Sequence, residues 1–343
     1  MTWRGVSGKI RIGEVTMKNK NVAFVLTALL AVPLLAPSAF AQAGMSAAVK
    51  EQLAKVQQAI KDTGARWEAG ETSVSNLSRE EFQNYIGFDF SLSDAEPAPE
   101  VTVMELPAAL DWRDNNGNFV TIPKDQKKCG SCWAFSMTGA LESYVLRTKN
   151  MPGQDLDLSE QVMLSCSGAG SCNGGRLTAG FLKKTGLPLD NVFPYTATDA
   201  SCSAAVPGWQ AGAYKIGNYG SVSQKVASMK AALAAYGPLP TAYMVYEDFK
   251  LYKGGIYSYT TGKRLGGHAV LLVGYNDAEQ YFIVKNSWTP QWGEGGYFRI
   301  AYSEVNGKSN FGLSTIAYYT AKDGAEAAAW QRTAPHFDNI TWD

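Results

Sequence analysis

Histidine is almost missing from this chain. Two stand in 343 residues, His268 and His336, which excludes sites built from several imidazoles and leaves few candidates for a proton shuttle near neutral pH. Neither sign of charge is in excess, with 31 Lys and Arg against 31 Asp and Glu, so no electrostatic argument favours nucleic acid or an anionic membrane as a partner. The main apolar run, 22–35, falls short of the roughly 20 residues a membrane span needs and contains Pro33. No repeat, heptad pattern or long low-complexity tract occurs, which excludes solenoids and coiled coils. Cysteine is scarce and odd in number, at five. What is plentiful is apolar side chain, 45% of residues, enough over this length for a sizeable core.

From Met17 the chain reads Lys18-Asn-Lys20, then the apolar run, then Ala39-Phe40-Ala41. That is the charged, apolar and small-residue layout of a secretory signal over 1–41, with cleavage expected after Ala41 or Ala43. Such a signal does not need residues 1–16, so Met17 reads as the true start. Export places the protein outside the cell, in a periplasm or in a lysosome-like compartment, where cysteines pair. Cys129, Cys132, Cys166, Cys172 and Cys202 then make two bridges and leave one thiol over, and the connectivity stays open at this point.

Val49, Leu53, Val56 and Ile60 recur at helical spacing over 47–60, predicting a short amphipathic helix. The Pro- and acid-rich stretch 91–100 reads as a linker, with a domain boundary at 101–106. From 106 to about 317 the pattern is helical first, over 133–148, 159–164 and 177–184. It then turns to apolar runs between Gly-rich turns, with buried strands expected at 269–273 and 281–284. Helices followed by strands predict two lobes of an α+β fold. The tail, 321–343, is alanine-rich and polar and carries no functional reading.

Asp125-Gln126-Lys127-Lys128-Cys129-Gly130-Ser131-Cys132-Trp133 precedes the first of these helices, so Cys132 opens it. A thiol there feels the positive end of the helix dipole and its unpaired N–H groups, which favours the thiolate. Taken alone, Cys129-x-x-Cys132 fits a redox pair as well as a nucleophile. His268 stands at the mouth of an apolar strand in Gly266-Gly267-His268-Ala269, and Asn286 follows the next strand. A neutral amide beside that ring would hold its tautomer without cancelling its charge.

In the order Gln126, Cys132, His268, Asn286, these residues resemble the papain and cathepsin family, whose signature is Cys-Gly-Ser-Cys-Trp with His and Asn about 130–150 residues downstream. Further landmarks are Leu158-Ser-Glu-Gln161, Cys172-Asn-Gly-Gly175, Phe193-Pro-Tyr195, Tyr252-Lys-Gly-Gly255 and Asn286-Ser-Trp-x-x-x-Trp292-Gly. The stretch 245–269 and Arg66-Trp-Glu-Ala-Gly70 are most like cathepsin B. The resemblance implies a two-lobed fold, mainly helical and then β-barrel-like, with the active site between the lobes. Cys132 would be the nucleophile, His268 the base, Asn286 its orienting partner and Gln126 an oxyanion donor. Trp288 would cover the His268 to Asn286 bond. Implied bridges are Cys129 to Cys172 and Cys166 to Cys202, which frees Cys132 and removes the redox reading.

The resemblance further implies that peptide substrates bind extended along Gly174, Gly175 and Gly267. Leu177, Ala242, Ala269 and Ile316 would line an apolar pocket for the second residue before the cut, selecting Leu, Val or Phe there. The histidine-bearing loop that makes cathepsin B a carboxydipeptidase is missing, which points to an endopeptidase. Phe311 replaces a late cysteine of many relatives, one disulfide fewer and an expected loss of ~2–4 kcal/mol if nothing compensates. Residues 42–104 resemble a short inhibitory propeptide, and 105–320 the catalytic domain. A peptide ligase on the same residues and an inactive binding module are the alternatives. Expected partners are protein or peptide substrates and the chain's own propeptide; neither cofactor nor metal is implied, and the protein is expected to be a monomer.

Overall fold

The computed structural model describes residues 44–90, 95–99, 106–320 and 322–323. The expected signal over 1–41, the boundary at 101–105 and the tail apart from 322–323 lie outside the described residues. Its helices are α1 (Ala47–Thr63), α2 (Arg79–Phe82), α3 (Cys132–Thr148), α4 (Glu160–Cys166), α5 (Gly180–Lys184) and α6 (Val226–Tyr236). Its strands are β1 (Arg66–Ala69), β2 (Ala109–Asp111), β3 (Gly170–Ser171), β4 (Gly174–Gly175), β5 (Asn218–Ser221), β6 (Leu239–Tyr246), β7 (Tyr252–Tyr257), β8 (Arg264–Asn276), β9 (Tyr281–Lys285), β10 (Tyr297–Ala301) and β11 (Ile316–Tyr319).

Helices α3 to α5 make the first lobe of an α+β fold. The second is a seven-stranded sheet in the order β1-β7-β10-β9-β8-β2, with β6 also pairing β8. β8 organises it, because β6 and β9 flank its two edges and α3 lies on its face. That enclosure explains why β8 is buried continuously from Gly267 to Tyr275 and reads as an apolar run instead of an alternation. α3 is buried almost all round, as a helix between two layers must be. Ser136 Oγ donates to Val270 O at 2.7 Å, and Gly139 permits the approach, since a Cβ there would meet Leu271 at 3.3 Å.

Phe249 centres an aromatic core, with Tyr243, Tyr252, Tyr257, Trp288, Trp292 and Phe298 around it at 4.7–5.9 Å between ring centroids. Phe311 is fully buried against Phe282 and Tyr243, so an aromatic contact stands where the missing disulfide would otherwise tie the lobe. Both disulfides, Cys129 to Cys172 and Cys166 to Cys202, lie in the helical lobe.

α5 is shorter than the periodicity over 177–184 predicts. Its first turn is lost because neighbouring backbone is engaged elsewhere: Arg176 N–H donates to Ala169 O, and Thr178 N–H to Met137 Sδ.

Residues 45–90 pack on the second lobe and then enter the groove between the lobes. α1 runs three residues past the predicted 47–60 to a left-handed Gly64 cap. β1 adds antiparallel to the edge of β7, sending Trp67 into the aromatic core against Tyr257 at 5.2 Å. α2 opens with a capping box between Ser78 and Glu81 and sets Phe82 edge-on to Trp288 at 5.2 Å.

Candidate active site

Cys132 begins α3. Its thiol is buried, and the Ala269 N–H donates to Sγ at 3.4 Å, so the thiol lies beside the residue that follows His268. His268 Nε2–H donates to Asn286 Oδ1 at 2.8 Å. Ser287 N–H donates to the same oxygen at 2.8 Å, which settles which end of the amide faces the ring. An oxygen can only accept, so Nε2 carries the proton and Nδ1 of the neutral ring is bare. Nδ1 is buried and has no hydrogen-bond partner. The Trp288 indole stacks on the imidazole at 4.5 Å and 27°.

Gln126 is held from both ends: its Nε2 donates to Cys129 O at 3.0 Å, and Ser287 Oγ donates to its Oε1 at 2.6 Å. One N–H of the side chain remains. Tyr195 OH donates to Gln126 O at 2.8 Å and meets Ser131 Oγ at 2.7 Å, fastening the loop that carries Gln126 to the start of α3. Ser131, Tyr195 and Ser287 were not singled out from sequence. The signals were present, since Ser287 lies between Asn286 and Trp288, and Tyr195 ends the Phe-Pro-Tyr landmark.

The groove is occupied by residues 85–90. Trp288 Nε1–H donates to Tyr85 O at 2.9 Å, and the Gly87 and Phe88 N–H groups both reach Gly267 O at 3.1 Å. Gly175 N–H donates to Gly87 O and Asp89 N–H to Gly175 O, each at 2.8 Å. Glycine is required at 175 because a Cβ would stand 2.5 Å from the Trp133 ring. Gly174, at φ 124°, sits under Gly87. Of the expected pocket residues, Ala242 and Ala269 lie directly opposite each other in the β6 to β8 ladder. Ile316 is buried at the start of β11, and Leu177 is buried two residues after Gly175.

Under this cover burial pushes the Cys132 thiol up to about 12 and the His268 imidazole down to about 4, each toward its neutral form. Backbone N–H groups, including that of Trp133 in α3, act to lower the thiol but are outweighed. The thiolate expected from the helix position is therefore not the favoured form while residues 85–90 are seated.

Behind Asn286 and Ser287 lies a buried ion cluster. Lys124 Nζ bonds Glu142 at 3.0 Å, Glu160 at 2.7 Å and Asp157 at 2.5 Å. Glu142 also takes the Thr121 hydroxyl, and Lys285 Nζ donates to Thr121 Oγ1 at 2.9 Å. Burial lowers Lys285 to about 8 and raises Glu160. Asp157, Glu160 and Asp190 converge as metal ligands would, but the Lys124 ammonium bonds the first two and takes the place of a cation.

Residues 106–320 match the family model described as papain family cysteine protease. The cathepsin B-like protein CP3 of Giardia intestinalis is 35% identical over 261 residues, covering 70% of this chain and 86% of that one. Pro-cathepsin H of Mus musculus is 39% identical over 225 residues, covering 62% and 64% respectively. Among solved structures, digestive procathepsin L 3 of Tenebrio molitor superposes with a TM-score of 0.67 at 26% identity, over 79% of this chain and 88% of its own.

Proposed function

The chain belongs to the papain family of cysteine proteases, and on that premise we propose that it is an exported endopeptidase made as a zymogen, with residues 42–104 as its inhibitor. The proton of the Cys132 thiol passes to Nδ1 of His268, the nitrogen that Asn286 leaves bare, and the thiolate attacks the peptide carbonyl carbon. As the C–S bond forms, the carbonyl electron pair moves to oxygen. That oxyanion takes bonds from the Cys132 N–H and the remaining N–H of Gln126, a donor worth ~2.7–4 kcal/mol. Collapse breaks the C–N bond, and the amine leaves with the proton from Nδ1. Water, deprotonated at Nδ1, then hydrolyses the thioester and restores the thiol.

The observation that carries the zymogen reading is the seating of residues 85–90, which take the backbone groups of Gly175 and Gly267 that an extended peptide would use. The facing pair Ala242 and Ala269, with Ile316 and Leu177, supports a preference for Leu, Val or Phe two residues before the cut. Best cleavage of peptides that carry Arg at that position, in a peptide library, would overturn the pocket assignment. The stretch between Gly175 and Phe193 has no histidine-bearing loop, which supports cleavage within chains rather than at their ends. The signal over 1–41 supports export.

Mild alkylation of the matured, unreduced protein at about pH 5.5 tests the mechanism, because an ordinary thiol of pKa about 8.5 is nearly inert there. Fast labelling confined to Cys132 is the expected result. No labelling would refute the thiolate to imidazolium pair.

A further inference from the structure

Lys250 lies buried in the turn Glu247–Leu251 between β6 and β7. Its Nζ donates to Leu77 O and stands 5.3 Å from the centre of the Phe82 ring. Phe82 in turn sits edge-on to Trp288, the indole that stacks on His268, so one ring separates the ammonium from the wall of the active site. Thr72 Oγ1 donates to Lys250 O at 2.6 Å and Ser73 Oγ to Trp288 O at 3.2 Å, closing the same place from outside. The neighbouring acid, Glu247, keeps its carboxylate on the Lys263 N–H at 3.0 Å and on Arg79 at 3.5 Å.

We propose that in the processed enzyme Lys250 selects an acidic residue, Glu above all, directly after the scissile bond. The inference rests on the protease reading and on the removal of residues 42–104, which takes away Leu77 O and the Phe82 ring together. Left behind is a place bounded by an apolar indole and an ammonium without its acceptor, which suits a side chain with a short methylene stem and a carboxylate tip. Its position follows from the groove. Whichever way a chain runs there, residues 85–90 mark the order of the walls: Trp288 at Tyr85, Cys132 and Gly130 at Gly87, then Gly267 and Gly175 at Phe88 and Asp89. Gly175 and Gly267 hold the residues before the cut, so those after it pass Trp288 on the far side of the thiol. A carboxylate close by shows the sign of the field. The Ser78 N–H and hydroxyl, and beyond them Lys128 and Lys250, hold the Glu81 carboxyl below its ordinary range. The chain's own 104/105 boundary fits the same rule, since Val103-Met104-Glu105 puts an apolar residue second before, and an acid directly after, a cut that follows Met104.

The test uses the full-length protein after maturation and two internally quenched peptides copying residues 101–108, one as it stands and one with Glu105→Gln. The two differ in charge and hardly in size. At about pH 6.5 and about 20 mM salt the parent should cut the Glu peptide with a kcat/KM about fivefold higher, the reach of an ion pair at the edge of solvent. At about 0.5 M salt screening should bring the ratio below about two. Lys250→Met, which keeps the stem and drops the charge, should bring the ratio to about one, and Lys250→Glu should invert it. The salt series on the parent decides the matter if either variant does not mature. Equal rates for the two peptides at low salt, a ratio insensitive to salt, or one that survives Lys250→Met overturns the assignment to Lys250 and leaves the protease reading standing. Cleavage of denatured casein but of neither peptide also overturns it, and no cleavage of any of the three refutes the protease reading as well.

Discussion

Asn286 Oδ1 receives the Nε2–H of His268 at 2.8 Å beneath the Trp288 indole. That bond assigns the ring's proton and its tilt together. Asn286→Ala frees the ring to rotate and to switch tautomer, and kcat/KM is expected to fall ~100-fold for a misplaced base, with an unchanged circular dichroism spectrum. Wild-type kinetics in this variant would remove Asn286 from the machinery.

Gly87 is seated so tightly that a Cβ would stand 2.2 Å from Gly130 O. Gly87→Val therefore unseats residues 85–90 without touching Cys132. The precursor of this variant should react with iodoacetamide at a rate approaching that of the matured enzyme, while the parent precursor reacts far more slowly. Equal rates in both precursors would mean that the seating does not protect the thiol.

Acid should weaken the cover. Burial lowers His268 from 6.5 to about 4, so between those values the uncovered protein binds more protons than the covered one. The stability of the covered state is fully present above about pH 6.5, is lost as pH falls through the window and levels off below pH 4, a change of at most about 3 kcal/mol. Burial also raises the Cys132 thiol, which has the opposite sense and weakens the cover as pH rises. In a Cys132→Ala precursor the histidine effect stands alone. Trp288 fluorescence should then report release between pH 6.5 and 4, and a flat signal there would contradict the assignment.

Lys124 is the common partner of Glu142, Asp157 and Glu160, two of which are buried. Lys124→Met leaves those carboxylates without a counter-charge, and urea denaturation should show a loss of about 3–5 kcal/mol. A change below 1 kcal/mol would show that the cluster repacks around neutral acids.

The helix opened by Cys132 and the strand that follows His268 were legible because each is a strong periodic pattern beside a chemically distinctive residue. Tyr85-Ile-Gly-Phe-Asp89 carries no such pattern, and its partners Gly175, Gly267 and Trp288 lie far along the chain, so its place in the groove was not. Glu142 and Lys285 were equally hidden. A charge in a sequence reads as solvated surface, and only tertiary structure brings Lys124 and Thr121 to them. The shortened α5 has the same origin, in contacts made at a distance overriding a local preference.

Because residues 45–90 ride on the chain they cover, they compete for the groove at an effective concentration on the order of millimolar, whatever the protein's own dilution. Cutting the link changes the rule without altering any contact. The same segment becomes a free ligand whose hold follows mass action, and it departs when the volume around it grows. Release into a large space would thus complete activation, while crowding in a small compartment would delay it.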